Sequence, residues 1–358
     1  MTKKDVILLC MLVFVPISMV AEWLHFNPVV IFLASGLAII PLAAWIANST
    51  EAIATVIGPA FGGLLNATFG NATEMIISIV ALNAGLVDVV KASLTGSIIA
   101  NLLLALGLAT LIGGLRFTEQ SFQPTVARIN ASSLTLAVIV LLTPAAMKLT
   151  SKSLQTSTIN NFSHVAAILL LIFYCLMLVF SIKTHSHMYL LEEAESDIDP
   201  NESSRHANLW RQIGILLTCT VVLVFVSELL VNNLEKAISH LGLTHLFTGV
   251  IIIPIFGGIV EYITAITFAI KNKMEIAVAV AIGSSLQIAM FIGPVLILVG
   301  WVLGQPMNLD FSLFEIVAVA MTVVIANSIS TDGRSNWLEG VLLLMTYAVL
   351  GTAFYFHP

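Results

Sequence analysis

Apolar residues run along this chain in long, predominantly apolar blocks rather than alternating with polar ones or lining a single helical face. A helix crossing a bilayer needs roughly 17 to 25 such residues. Eleven blocks of about that length are read near 6–22, 28–47, 54–82, 89–113, 125–147, 162–182, 210–234, 246–270, 275–302, 313–329 and 337–356. The pattern predicts an all-α, polytopic membrane protein of about eleven transmembrane helices. The third, fourth, eighth and ninth blocks exceed a straight crossing and hold Gly, Pro and small polar residues, so they read as tilted or broken helices.

Composition agrees: 58% of the 358 residues are apolar and 9% are charged, too few charges to clothe a soluble surface. Lys and Arg set the orientation. With the N-terminus inside, Lys3, Lys4, Arg116, Arg128, Lys183, Arg205, Arg211, Lys271, Lys273 and Arg334 lie inside, against Lys91, Lys148, Lys152 and Lys236 outside. Ten against four predicts N-terminus in and C-terminus out. No small-x-small cleavage site follows the first apolar block, so the first helix is read as retained. The net charge of −6 is concentrated in Glu192, Glu193, Glu195, Asp197, Asp199 and Glu202, between the sixth and seventh blocks. That loop lacks the spacing of an EF-hand, and reads as a solvated charge run or a weak regulatory Ca²⁺ site. Cys10, Cys175 and Cys219 lie in apolar blocks at unrelated spacings and suggest neither disulfides nor a metal motif.

The chain repeats at an offset of 187 residues. Gly62, Phe69, Gly70, Glu74, Gly96, Ser97 and Gly113 fall on Gly249, Phe256, Gly257, Glu261, Gly283, Ser284 and Gly300, and Asp88 falls on Glu275. Apolar matches are cheap in such a chain, whereas matched Glu, Ser and Gly are not. The expected division is a first transmembrane helix (1–24), a first five-helix repeat (25–183), an acidic cytoplasmic linker (184–209) and a second five-helix repeat (210–358). An odd number of crossings per repeat inverts one repeat relative to the other, a recurring plan of secondary transporters.

Glu74 and Glu261 fall mid-block, where a carboxylate is costly without a partner or a task. The pair is read as binding a divalent cation or protons. Gly70 and Gly257 each precede the Glu by four residues on the same helical face, where they let the helix unwind or let another helix approach. Asn71 shares the face of Glu74, while Ser97 with Asn101, and Ser284 with Gln287, offer neutral oxygens of the kind a hard cation takes. Glu51 and Glu228, read near the ends of the second and seventh blocks, either line entrances or snorkel to the interface. Histidines near span ends and in loops, including His164, His185, His187 and His206, are assigned no ligand role.

These residues resemble the cation exchanger family of calcium/proton antiporters, within the calcium/cation antiporter superfamily. Gly70-Asn71-Ala72-Thr73-Glu74 with Gly96-Ser97-Ile98-Ile99-Ala100-Asn101 is similar to that family's first signature, and Gly283-Ser284-Ser285-Leu286-Gln287 to part of its second. Asp332 to Gly340 resembles a segment common in bacterial members. One departure stands out: the second signature usually reads Gly-Asn-Ala-Ala-Glu-His, and here Gly257-Gly258-Ile259-Val260-Glu261-Tyr262 lacks the amide and the imidazole. The resemblance implies exchange of Ca²⁺, with other divalent ions open, for protons by alternating access. Short termini look bacterial, which implies the cytoplasmic membrane and Ca²⁺ export.

The expected partners are divalent cations, protons and the lipid bilayer, with no nucleic acid and no cofactor beyond the transported ions; a homo-oligomer is left open. The runner-up is a sodium/calcium exchanger. A cation channel fits less well, because channels place carboxylates in symmetric rings or filters. An enzyme is the weakest reading, since no H-E-x-x-H, G-x-x-x-x-G-K-[ST] or G-x-S-x-G motif is present.

Overall fold

The computed structural model describes residues 3–151, 155–189 and 202–357. Its helices are α1 (Lys3–Met11), α2 (Phe14–Trp23), α3 (Pro28–Ile57), α4 (Pro59–Phe69), α5 (Ala72–Asn83), α6 (Val87–Ile99), α7 (Leu106–Arg116), α8 (Pro124–Thr150), α9 (Thr156–Val179) and α10 (Ser186–Tyr189). They continue as α11 (Glu202–Leu241), α12 (His245–Phe247), α13 (Ile253–Gly257), α14 (Ile259–Ile270), α15 (Met274–Gln287), α16 (Gly293–Val302), α17 (Leu313–Ile329) and α18 (Trp337–Phe356). Four π-helical stretches, Ala100–Ala105, Phe180–Thr184, Thr248–Ile252 and Ile288–Ile292, link or extend them. The strands β1 (Gln120–Ser121) and β2 (Arg334–Ser335) form a small antiparallel pair.

The fold is all-α and suited to a membrane. Among the described residues, eight helices are long and apolar enough to cross one, and the bent pair His245–Gly257 and Ile259–Ile270 makes a ninth. The remaining expected spans are shorter pieces: α4 with α5, and α17. Exposed Val165, Ile168, Leu169, Ile172 and Leu176 give α9 an apolar outer face, which suits acyl chains.

Several boundaries differ from the pattern reading. The second span does not stop at 47 but runs to Ile57, where Gly58 (φ 88°) and Pro59 end it, so the third begins at 59 rather than 54. Gly accepts that φ and Pro fits the first helical turn of α4. The seventh span is α11, which opens at Glu202 rather than 210, because charged Glu202 and Arg205 continue the helix beyond its apolar block. Glu192, Glu193, Glu195, Asp197 and Asp199, and Lys152, lie outside the described residues.

The repeat is visible in the elements as well. At the 187-residue offset α5 falls on α14 residue for residue, and the π stretch after α6 falls on the one after α15.

Two compact units divide the chain: Met1–Ile77 with Cys175–Ala237, and Ser78–Tyr174 with Ile238–Pro358. In the first, Asn27 caps α3 by accepting from the Val29 N–H at 2.9 Å, and Ser49 on α3 bonds Gln212 on α11 at 3.1 Å. Asn233 on α11 donates to Glu22 on α2 at 2.9 Å. In the second, small residues let backbones meet: Gly96 of α6 lies against the backbone of Val250, and Gly249 against Ala92. Gly114 and Gly340 do the same where α7 packs on α18. Capping boxes start α17 (Ser312 with Glu315) and α18 (Asn336 with Glu339).

Candidate ion-binding site

In the first unit the candidate residues gather at the interruption between α4 and α5. The helix stops at Phe69, and Gly70 and Asn71 form a turn although Gly70 keeps helical angles (φ −56°, ψ −40°). α5 then restarts at Ala72, which puts Glu74 in its first turn. A carboxylate there is favoured by the partial positive charge of the helix N-terminus. Glu74 is 5% exposed and Asn71 2%. Neither carboxylate oxygen of Glu74 accepts a hydrogen bond from another residue among those described. A buried carboxylate lacking partners carries its full desolvation cost, so the position suits an occupant that supplies positive charge.

Glu51 and Glu228 belong to the same unit and are both exposed. The expectation that they lie near helix ends is corrected for Glu228, which lies well inside α11 because that helix runs on to Leu241.

In the second unit the same architecture recurs. Gly258 (φ −88°, ψ 7°) separates α13 from α14, and the helix turns there by 58°. Glu261 occupies the first turn of α14 and is half-buried. The Tyr262 hydroxyl donates across the break to the Pro254 carbonyl at 2.9 Å.

Ser97 lies on α6, Asn101 in the π stretch that follows it, and Ser284 and Gln287 on α15, all buried. Asn101 Nδ2 donates to Ser284 Oγ at 2.9 Å, joining one repeat's neutral ligand candidate to the other's. The Asn101 Oδ1 is buried and has no hydrogen-bond partner among the described residues. A π turn widens the local helix and is frequent at functional positions. Here one π stretch contains Asn101 and the other follows directly on Gln287.

Three features escaped the sequence reading. π turns leave no periodicity of their own, so Ala100–Ala105 and Ile288–Ile292 read as ordinary helix. The Tyr262–Pro254 bond joins residues eight apart, which only a break between them permits. Glu315 is a further buried carboxylate, 5% exposed, but its oxygens are engaged: Oε1 by Thr95 at 3.2 Å and Oε2 by the Ser312 N–H at 3.0 Å. The Ser312-x-x-Glu315 spacing was the available signal for that capping role.

Comparison with known proteins agrees with this architecture. Residues 27–183 and 211–356 match the family described as sodium/calcium exchanger protein. A protein named Ca(2+)/H(+) antiporter in Aphanothece halophytica is 54% identical over 369 residues, covering 100% of this chain and 98% of that one. Ca(2+)/H(+) antiporter ChaA of Bacillus subtilis is 39% identical over 95% of this chain and 96% of its own length. Among solved structures, native YfkE superposes with a TM-score of 0.83 at 35% identity, covering 98% of this chain and 100% of that one.

Proposed function

The chain belongs to the sodium/calcium exchanger protein family, and from that membership we propose that it is a secondary active transporter exchanging Ca²⁺ for protons by alternating access. The observation that carries the reading is Glu74: a buried carboxylate, unpartnered among the described residues, at a helix restart inside an apolar chain. The names of the relatives supply the ions.

Glu74 and Glu261 are the proposed sites of both proton and metal binding. Two carboxylates neutralise one divalent ion, and two protons neutralise them equally. The empty, doubly charged form carries a large desolvation cost, so it rarely isomerises, and that penalty couples the two fluxes. At least two protons then move per divalent ion. Asn71, Ser97, Asn101, Ser284 and Gln287 supply neutral oxygens to a cation that takes about 6 to 8 oxygen ligands. Gly70 and Gly257 mark the interruptions, and exposed Glu51 and Glu228 attract cations toward the site.

The proposed setting is the cytoplasmic membrane, with N-terminus inside, C-terminus outside and Ca²⁺ exported. Proteoliposomes holding the purified chain test the reading. An imposed pH gradient drives ⁴⁵Ca²⁺ uptake without sodium, saturably in Ca²⁺. Uptake that needs a sodium gradient instead would reassign the counter-ion, and non-saturating flux would point to a channel.

A further inference from the structure

We propose that Tyr262 is a positioning residue that plugs the second helix break, so that positions 258 and 262 act as a pair to set ion preference. The inference rests on the antiport reading above and deepens it. A Cβ added at Gly258 would lie 2.8 Å from the Tyr262 hydroxyl oxygen and 3.0 Å from two ring carbons. The phenol therefore occupies the volume that a side chain at 258 needs.

That ring is not free to swing aside. Tyr262 is 5% exposed, its hydroxyl bonds the Pro254 carbonyl at 2.9 Å, and its N–H bonds the Gly258 carbonyl at 3.2 Å. The Pro254 carbonyl also accepts from the Gly258 N–H at 2.9 Å. Tyr262 packs with Ala100 and Ala105, and Leu104 and Tyr347 lie against them, beside the π stretch that holds Asn101. One side chain thus latches the break and abuts the segment carrying a candidate ligand.

The internal repeat shows the alternative arrangement. At the 187-residue offset, Gly258 and Tyr262 correspond to Asn71 and Met75. The first break has an amide beside an unbranched, adaptable thioether, whereas the second has no side chain beside a rigid ring. The second break consequently offers Glu261 without a neighbouring amide oxygen, and a hard divalent ion loses one neutral ligand there.

The test is a double-mutant cycle on the full-length protein with Gly258→Asn, Tyr262→Met and both together. Thermal melting is read in detergent with and without Ca²⁺, and flux in proteoliposomes with Ca²⁺ against Mn²⁺. Gly258→Asn alone is expected to lower the melting temperature and weaken the Ca²⁺-induced rise. Beside Tyr262→Met it is expected to be tolerated, to tighten apparent Ca²⁺ affinity roughly fivefold over Tyr262→Met, the worth of one good polar contact, and to change the Ca²⁺/Mn²⁺ ratio.

Tyr262→Phe keeps the ring carbons that lie 3.0 Å from a Cβ at 258 and loses the hydroxyl with its bond to Pro254, so Gly258→Asn should remain damaging in that background, though less than in the wild type. Equal effects of Gly258→Asn in the Tyr and Met backgrounds would overturn the proposal, as would an unchanged ion ranking in the double variant. If Gly258→Asn does not fold, Gly258→Ala gives the same contrast through its single methyl. Melting needs no transport: a cycle that couples in a protein without pH-driven flux sinks the antiport reading alone, and intact flux without coupling sinks the plug alone.

Discussion

Glu74 and Glu315 are equally buried, and what separates them is the fate of their oxygens. Those of Glu315 are consumed by Thr95 and the Ser312 N–H, so its charge is a structural one. Those of Glu74 meet no donor from another described residue. Glu315→Ala should therefore cost about 1–2 kcal/mol of stability through the lost cap and hydrogen bond, with Ca²⁺ affinity unchanged. Glu74→Gln should abolish pH-driven Ca²⁺ exchange while the melting temperature holds or rises, since a buried neutral amide replaces a buried charge. Glu261→Gln should abolish exchange likewise. Near-normal antiport in either Gln variant removes that residue from the coupling site. Asn101→Ala is expected to weaken apparent Ca²⁺ affinity more than it slows turnover, because it deletes a neutral oxygen and the bond to Ser284 but no titrating group. Kinetics across Ca²⁺ concentrations separate the two.

Helix interruptions precede both candidate carboxylates, and they were unevenly legible. Gly58-Pro59 carries the marks of a helix end, a residue tolerant of positive φ and one without an N–H, yet the apolar pattern runs straight across it, whereas Gly257 was legible as a point where a helix can unwind. Glu74 and Glu261 were legible as chemistry, since a carboxylate in an apolar block is conspicuous in one dimension. The π turn at Asn101 was not, because its residues are as apolar and helix-compatible as their neighbours. Nor was the latch of Tyr262 on Pro254, which arises only once the chain has bent. The glycines that serve packing could be placed in a helix but not matched to a partner: Gly96 meets the backbone of Val250, 154 positions away. Gly96→Val has no room against that backbone, which no rotamer change can relieve. It should destabilise by about 1–3 kcal/mol or more, as overpacking does, seen as a lower melting temperature. Gly283→Ala, whose added Cβ meets nothing within 4 Å, should leave melting unchanged. A tolerated valine at 96 would mean that α6 and the Thr248–Ile252 stretch part more readily than their packing implies.

At the level of the whole molecule, the proposal makes protons and metal rivals for the same oxygens. Acidifying the side from which Ca²⁺ loads protonates the carboxylates and removes the charge that draws the ion. Apparent affinity should then fall with pH, and added Ca²⁺ should restore the maximal rate. The steepness counts the groups. Well below both carboxyl pKa values, one competing proton costs about tenfold in apparent affinity per pH unit, and two cost about a hundredfold. A slope approaching two therefore supports joint protonation of Glu74 and Glu261, and Glu261→Gln, if any metal binding survives, should reduce it toward one. Binding measured by Ca²⁺-induced thermal shift across pH gives the slope without requiring transport. A slope that stays at zero, with pH acting only on maximal rate, would place the proton on groups other than those that hold the metal, and coupling would then have to run through the conformational change instead of through shared ligands.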